Sequence, residues 1–236
     1  MRISRIAGAT SLAVLGAWTA IAGVGLPSAS AQPQAPACPD VEVVFARGTG
    51  EAPGVGGVGQ GFVDAVRAQA APRSVGVYAV NYPAGNNFEA REAFASTVVD
   101  GIRDAGNRLK TMSVDCPNTK LVLGGFSQGA VVSGFATSAT APAEHAATAP
   151  PPLTPEVASH VAAVVLFGTP SGPFLAKYGA PAITVGPLFA DKTLQLCAAG
   201  DTICNGAPDG GPSVAHALYG INGMVNEGAA YAVGRL

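Results

Sequence analysis

The chain has 236 residues and a formal net charge of −2; 48% of its residues are apolar and only 12% are charged. That balance argues against the basic face a nucleic-acid partner needs, and it leaves enough apolar side chain for a sizeable core.

Arg2 and Arg5 precede a mostly apolar stretch, Ile6 to Leu26, and Pro27 precedes Ala29-Ser30-Ala31, a small-x-small cleavage pattern. This predicts a secretory signal peptide over residues 1–31, cut after Ala31. A membrane anchor is the alternative; several glycines and a proline beside the cleavage site weigh against it. Residues 32–236 are about right for one large domain. No long apolar run follows the leader, so the expectation is an exported protein without a stable membrane span, released from the cell or held in its envelope.

Val41–Ala46, "VEVVFA", is a β-branched run and reads as a buried strand that enters the loop "RGTGE". The glycine-dense stretch Gly48–Gly61 predicts a loop. Phe62–Ala70 has helical spacing. Val75–Tyr82 reads as a second strand, closed by Pro83. Ala90–Met112 predicts a long amphipathic helix, with Phe94, Val98, Ile102 and Leu109 near one face. Lys120–Gly124 is a third strand and Gln128–Thr137 a helix of small residues. Ala141–Leu153, rich in Ala, Pro and Thr, predicts a surface loop. Val161–Phe167 is a fourth strand, Ala182–Val185 and Thr193–Leu196 are weaker strand candidates, and Met224–Val233 is a closing helix. Strands that are apolar on both faces alternate with helices. The pattern predicts an α/β fold: a single-domain three-layer α/β/α sandwich around a mostly parallel five-stranded sheet.

Four cysteines, Cys38, Cys116, Cys197 and Cys204, suit two disulfides in an exported chain. Cys197 and Cys204 are close and flank "AAGDTI", which pairs them and leaves Cys38 with Cys116. On loop entropy the short bridge is worth roughly 2.5 kcal/mol and the long one roughly 4. Paired C-x-x-C knuckles are missing, which argues against zinc. No metal or cofactor motif is present, and none is expected.

Between the strand "KLVLG" and the helix opening "QGAVV" lies Gly125-Phe126-Ser127-Gln128-Gly129, a G-x-S-x-G pattern in strand–turn–helix context. There it predicts a nucleophile elbow: a sharp turn that exposes the Ser127 oxygen, with flanking glycines that let backbones pass closely. An ordinary glycine-rich turn is the alternative. A serine hydroxyl needs a base, and the base needs a carboxylate to orient it. The chain has three histidines. His145 lies in the Ala/Pro/Thr loop and His160 at the start of a strand. In the order Ser, Asp or Glu, His, only His216 leaves convincing room for an acid; His160 would leave only Glu144 and Glu156 before it, both in or near that loop. Asp191, Asp201 and Asp209 are the candidate acids. Asp201 is preferred because it lies inside the Cys197–Cys204 loop, which a disulfide stiffens; Asp209 in "PDGG" reads as a turn. The backbone N–H of Gln128 and a donor at Thr49, in "RGTGE", are the expected oxyanion hole.

These residues resemble the cutinase-like serine esterases of the α/β-hydrolase superfamily. "FARGTGE", "GFSQGA", "CAAGDTIC" and "AHALYG" carry the resemblance, in that order, over Ala37 to about Val233. It implies a hydrolase of carboxylic esters without a large lid, with Ser127 as nucleophile, Asp201 as acid, His216 as base, and Thr49 and Gln128 at the oxyanion hole. Cys38–Cys116 also matches that family's other disulfide. The fungal pattern R-G-S-T-E is here Arg47-Gly48-Thr49-Gly50-Glu51; threonine keeps the hydroxyl but adds a methyl that restricts χ1, which bears on activity level rather than reaction type. The leader and the Ala/Gly-rich composition look like the actinobacterial branch, for which the implied substrates extend from cutin-like polyesters to simple esters, lipids and envelope esters. The expected partner is an ester or lipid substrate, and the expected state a monomer. Phospholipase, thioesterase and acyltransferase activity share the same triad chemistry. A weakly active protein that binds lipid or a surface is the non-enzymatic alternative.

Overall fold

The computed structural model describes residues 37–140 and 149–236. The signal-peptide segment, His145 and most of the Ala/Pro/Thr loop lie outside the described residues.

Five strands form one sheet: β1 (Val41–Ala46), β2 (Val75–Ala79), β3 (Lys120–Phe126), β4 (Val161–Phe167) and β5 (Thr193–Leu196), in the order β2-β1-β3-β4-β5. Every pairing is parallel, as the apolar strands foretold. Side chains alternate across the sheet and build two cores. On one face Val44, Leu123, Val164 and Leu166 pack with residues of α2 (Arg91–Asp115), α3 (Gln128–Ala136) and α4 (Pro155–His160). On the other, Val43, Phe45, Val165 and Phe167 pack with α1 (Gly56–Ala70) and α7 (Met224–Val233). Two short helices, α5 (Gly172–Lys177) and α6 (Val214–Ala217), and a 3-10 helix, Ala190–Lys192, complete the elements among the described residues. Among the described residues no helix is long and apolar enough to cross a membrane.

The chain leaves β1 toward β2 and then returns to place β3 on the other side of β1. This order reversal makes the carboxyl ends of β1 and β3 the usual ligand position in open parallel sheets.

Several boundaries differ from the sequence reading. The first helix begins at Gly56, not Phe62, so about half of the glycine-dense stretch is helical. Glu51 supplies what the weak helix formers lack: its Oε1 accepts the Gly57 N–H at 2.8 Å and stands at the positive end of the helix dipole. Gly59 is there for packing, since a Cβ on it would lie 2.6 Å from the Phe45 ring. The second strand stops at Ala79 rather than Tyr82. Ala182–Val185 is not a strand: β5 takes the edge beside β4, and this segment instead runs along the end of α3, where Thr184 C=O accepts from Ser138 Oγ and Gly186 N–H donates to Thr137 C=O. Helices α4 and α5 were not expected. Each has a hydroxyl N-cap and an early proline, Thr154 with Pro155 and Ser171 with Pro173. Both are only six residues long, too short to display a periodicity.

Two disulfides, Cys38–Cys116 and Cys197–Cys204, pair the cysteines as read. The first ties the entry to β1 to the end of α2. Beside it, Glu42, 3% exposed, forms a two-bond ion pair with Arg108 at 2.7 and 2.5 Å.

Candidate active site

Ser127 sits between β3 and α3 with φ 53° and ψ −117°, a region that non-glycine residues avoid. Such strain costs about 1–3 kcal/mol and persists only where the surroundings impose it. They do so here. Ser127 N–H donates to Phe167 C=O at 2.9 Å, and its own carbonyl accepts the N–H groups of Ala130 and Val131 at 2.9 and 3.1 Å. The flanking glycines are required by space. A Cβ on Gly129 would lie 1.9 Å from the Ala46 carbonyl oxygen, and one on Gly125 would lie 2.2 Å from that of Gly129. Strand β1, the elbow and α3 therefore cross at contact distance, and the serine is held at the sheet's carboxyl edge.

His216 arrives on α6, whose N-cap Ser213 accepts the His216 N–H at 3.2 Å. The Nε2 atom stands 2.8 Å from Ser127 Oγ and Nδ1 stands 2.8 Å from Asp201 Oδ2. Asp201 follows β5 in the turn closed by Cys197–Cys204, and it is fully buried. Ile203 N–H reaches Oδ1 at 3.0 Å, and the Tyr219 hydroxyl reaches Oδ2 at 2.8 Å. The Ile203 amide and the Tyr219 hydroxyl thus give each carboxylate oxygen a donor. With Asp201 as the acceptor for Nδ1–H, the Nε2 lone pair faces the serine hydroxyl. The Phe126 ring lies 5.0 Å from the imidazole and shields one side of it.

The structure thus brings together Ser127, Asp201 and His216 from three separate segments. It does not bring in the other candidates. His160 ends α4 at the amino end of β4, on the opposite edge of the parallel sheet. Asp191 is exposed in a short 3-10 helix, Ala190–Lys192, and Asp209 is exposed in a turn. The sulfurs beside Asp201 are joined to each other, so they are not thiolate ligands for a metal.

Thr49 lies on the loop leaving β1, and Ala46 at the end of that strand pairs with Gly125 of the elbow strand. Gln128 opens α3. Among the described residues, neither backbone N–H donates to a protein acceptor. A net of contacts outside the sequence reading supports that loop. Glu51 Oε2 accepts the Gly48 N–H at 2.6 Å. Arg47 donates to Glu51 C=O at 2.8 Å and to Tyr82 C=O at 2.7 Å, and the Tyr82 hydroxyl donates to Arg47 C=O. Burial pushes the Tyr82 phenol well above its ordinary pKa, so it remains a donor. Tyr219 also went unrecognised; its only sequence signal is its place three residues after the histidine.

Along the segment 172–189, Phe174, Leu175 and Phe189 are buried and Leu188 is 41% exposed. Apolar side chains beside His216 do face solvent: Val214, Leu218 and Ile221 are 77%, 37% and 82% exposed.

A parallel sheet whose third strand delivers a strained serine into a strand-to-helix elbow is the architecture of the α/β-hydrolases. Within that class the chain belongs to the cutinase family, whose sequence profile matches residues 37–236. It is 56% identical over 169 residues to the probable carboxylesterase Culp7 of Mycobacterium tuberculosis, covering 71% of this chain and 88% of that one. It is 42% identical over 220 residues to the carboxylesterase Culp1 of the same species, covering 92% and 91%. It is 43% identical over 211 residues to the phospholipase Culp4 of that species, covering 89% and 85%. Among solved structures it resembles a Trichoderma reesei cutinase bound to a phosphonate inhibitor, with TM-score 0.61 and 34% identity over 84% of this chain and 76% of that one.

Proposed function

We propose that the protein is an exported serine esterase that cleaves carboxylic esters of apolar acyl groups through an acyl-enzyme. The observation that carries this reading is the unbroken hydrogen-bond chain from Ser127 Oγ through His216 to Asp201. In this mechanism Ser127 Oγ attacks the ester carbonyl while His216 Nε2 takes its proton. The carbonyl oxygen becomes an oxyanion and accepts the N–H groups of Gln128 and Thr49. Collapse of the tetrahedral adduct breaks the C–O bond to the alcohol, which leaves with the proton from His216. Water then repeats the sequence on the acyl-serine, with His216 again as base, and frees the acid.

The carboxylesterase names of the relatives support the reaction class. The relative named a phospholipase, together with Val214, Leu218 and Ile221 exposed beside His216, favours lipid esters within that class. The leader pattern and two disulfides support export to an oxidising compartment. Ser127, His216 and Asp201 all lie on this chain, and we take the protein as a monomer.

The test is a series of p-nitrophenyl esters from acetyl to palmitoyl, with Ser127→Ala beside the native protein. The expected result is a rate maximum at one chain length and a loss of about 10⁴-fold or more in the variant. A phosphonate ester should label Ser127. A folded Ser127→Ala protein that turns over esters at the native rate would end the proposal.

A further inference from the structure

We infer that Tyr219 is a positioning residue of this site: its hydroxyl, bonded to the same Asp201 oxygen as the imidazole, sets how firmly the carboxylate holds the Nδ1 proton of His216. The inference rests on the esterase reading and adds a fourth side chain to it.

Tyr219 is fully buried, yet its hydroxyl has a defined set of partners. It accepts the Ala198 N–H at 2.8 Å and lies 2.8 Å from Asp201 Oδ2 and 3.4 Å from the disulfide sulfur of Cys204. The Ala198 amide can only donate, so it occupies a lone pair of the phenol oxygen. The phenol proton then points to the carboxylate, the strongest acceptor within reach. Burial, with a further push from the Asp201 bond, raises the phenol's pKa, so that this donor persists across the working pH range. The ring is fixed as well. It meets the rings of Phe126 at 5.6 Å and Phe167 at 6.3 Å and stands edge-on to His216 at 6.1 Å. Gly168 leaves room for both: a Cβ there would lie 3.0 Å from His216 Cε1 and 3.1 Å from Tyr219 Cε2.

The titratable groups facing the imidazole are Asp201 at Nδ1, Ser127 at Nε2 and Tyr219 at the ring edge. Those facing the carboxylate are His216 and Tyr219, with the Ile203 amide on the other oxygen. A second donor on Oδ2 draws off part of the anion's charge and weakens its pull on the imidazole proton. Removing that donor makes the carboxylate more basic, favours the imidazolium, and requires a higher pH before His216 is neutral.

Tyr219→Phe keeps the ring and deletes the hydroxyl. The titration of the His216 ring, followed by NMR, should move upward by about half to one pH unit, and the acidic limb of kcat/KM should move with it. 3-Fluorotyrosine incorporated at position 219 alone, a stronger donor on the same ring, should shift the titration downward and keeps the test available if Tyr219→Phe folds poorly. An unchanged His216 titration in either protein overturns the inference. The NMR titration needs no turnover, so it remains decisive if the protein hydrolyses no ester. A purely packing role for Tyr219 would lower stability without moving either titration.

Discussion

Glu51 is where a single isosteric change should separate loop positioning from the chemistry it serves. Its carboxylate accepts two backbone N–H groups, Gly48 at 2.6 Å and Gly57 at 2.8 Å. Gly48 adjoins Thr49, the proposed oxyanion donor, and Gly57 lies in the first turn of α1. Glu51→Gln replaces one acceptor oxygen with an NH2 group, so one of the two amides loses its partner and faces another donor. A hydrogen bond to a charged group is worth about 1.5–3 kcal/mol, and a negative charge at a helix start about 0.3–1. Glu51 is only half-buried, which places the loss near the lower end, about 2 kcal/mol. For a chain of this size that is a fall in melting temperature of about 4–8 °C. A freed Gly48 amide lets Thr49 swing. Losing an oxyanion donor outright costs about 10²–10³ in kcat, so a misdirected one should cost at least about 10-fold, with little change in KM. The assay is kcat and KM on a soluble p-nitrophenyl ester, beside a melting curve. A Gln variant that melts lower but keeps native kcat would refute the positioning argument. One that also melts normally would refute the reading of the loop altogether.

The two disulfides should divide stability from activity. Replacing Cys38 and Cys116 by serine should cost roughly 4 kcal/mol in a urea titration and leave kcat of the folded protein near native. Replacing Cys197 and Cys204 should cost less stability, roughly 2.5 kcal/mol, but lower kcat more, because the turn holding Asp201 loosens; equal kcat in the two double variants would contradict this. Alkaline stability should also respond to two phenols. Burial raises the pKa values of Tyr82 and Tyr219 in the folded state, while the unfolded chain releases those protons near pH 10. Above that pH the native state binds more protons, so stability is complete below about pH 10 and falls as pH rises. Urea midpoints between pH 9 and 11 should therefore drop more steeply for the native protein than for Tyr82→Phe.

Local patterns were sufficient for much of this protein. Mostly apolar runs bounded by turn residues marked β1, β3 and β4, because a strand buried on both faces carries few polar residues to disguise it. The elbow was legible because contact between crossing backbones admits only glycine at Gly125 and Gly129, and the acid because two cysteines enclose it within eight residues. The tertiary structure decided what depends on residues distant in the chain. His216 meets Ser127 across 89 positions, and Tyr82 braces Arg47 across 35. The glycines that start α1 carry no helix signal of their own; the Glu51 carboxylate and the Phe45 ring make that turn helical. Tyr219 looked like one more aromatic after a histidine. Its hydroxyl acquires a partner only when β5, the Cys197–Cys204 turn and α6 close around it, for a hydrogen bond is specified by where the folded chain puts donor and acceptor, not by their spacing along it.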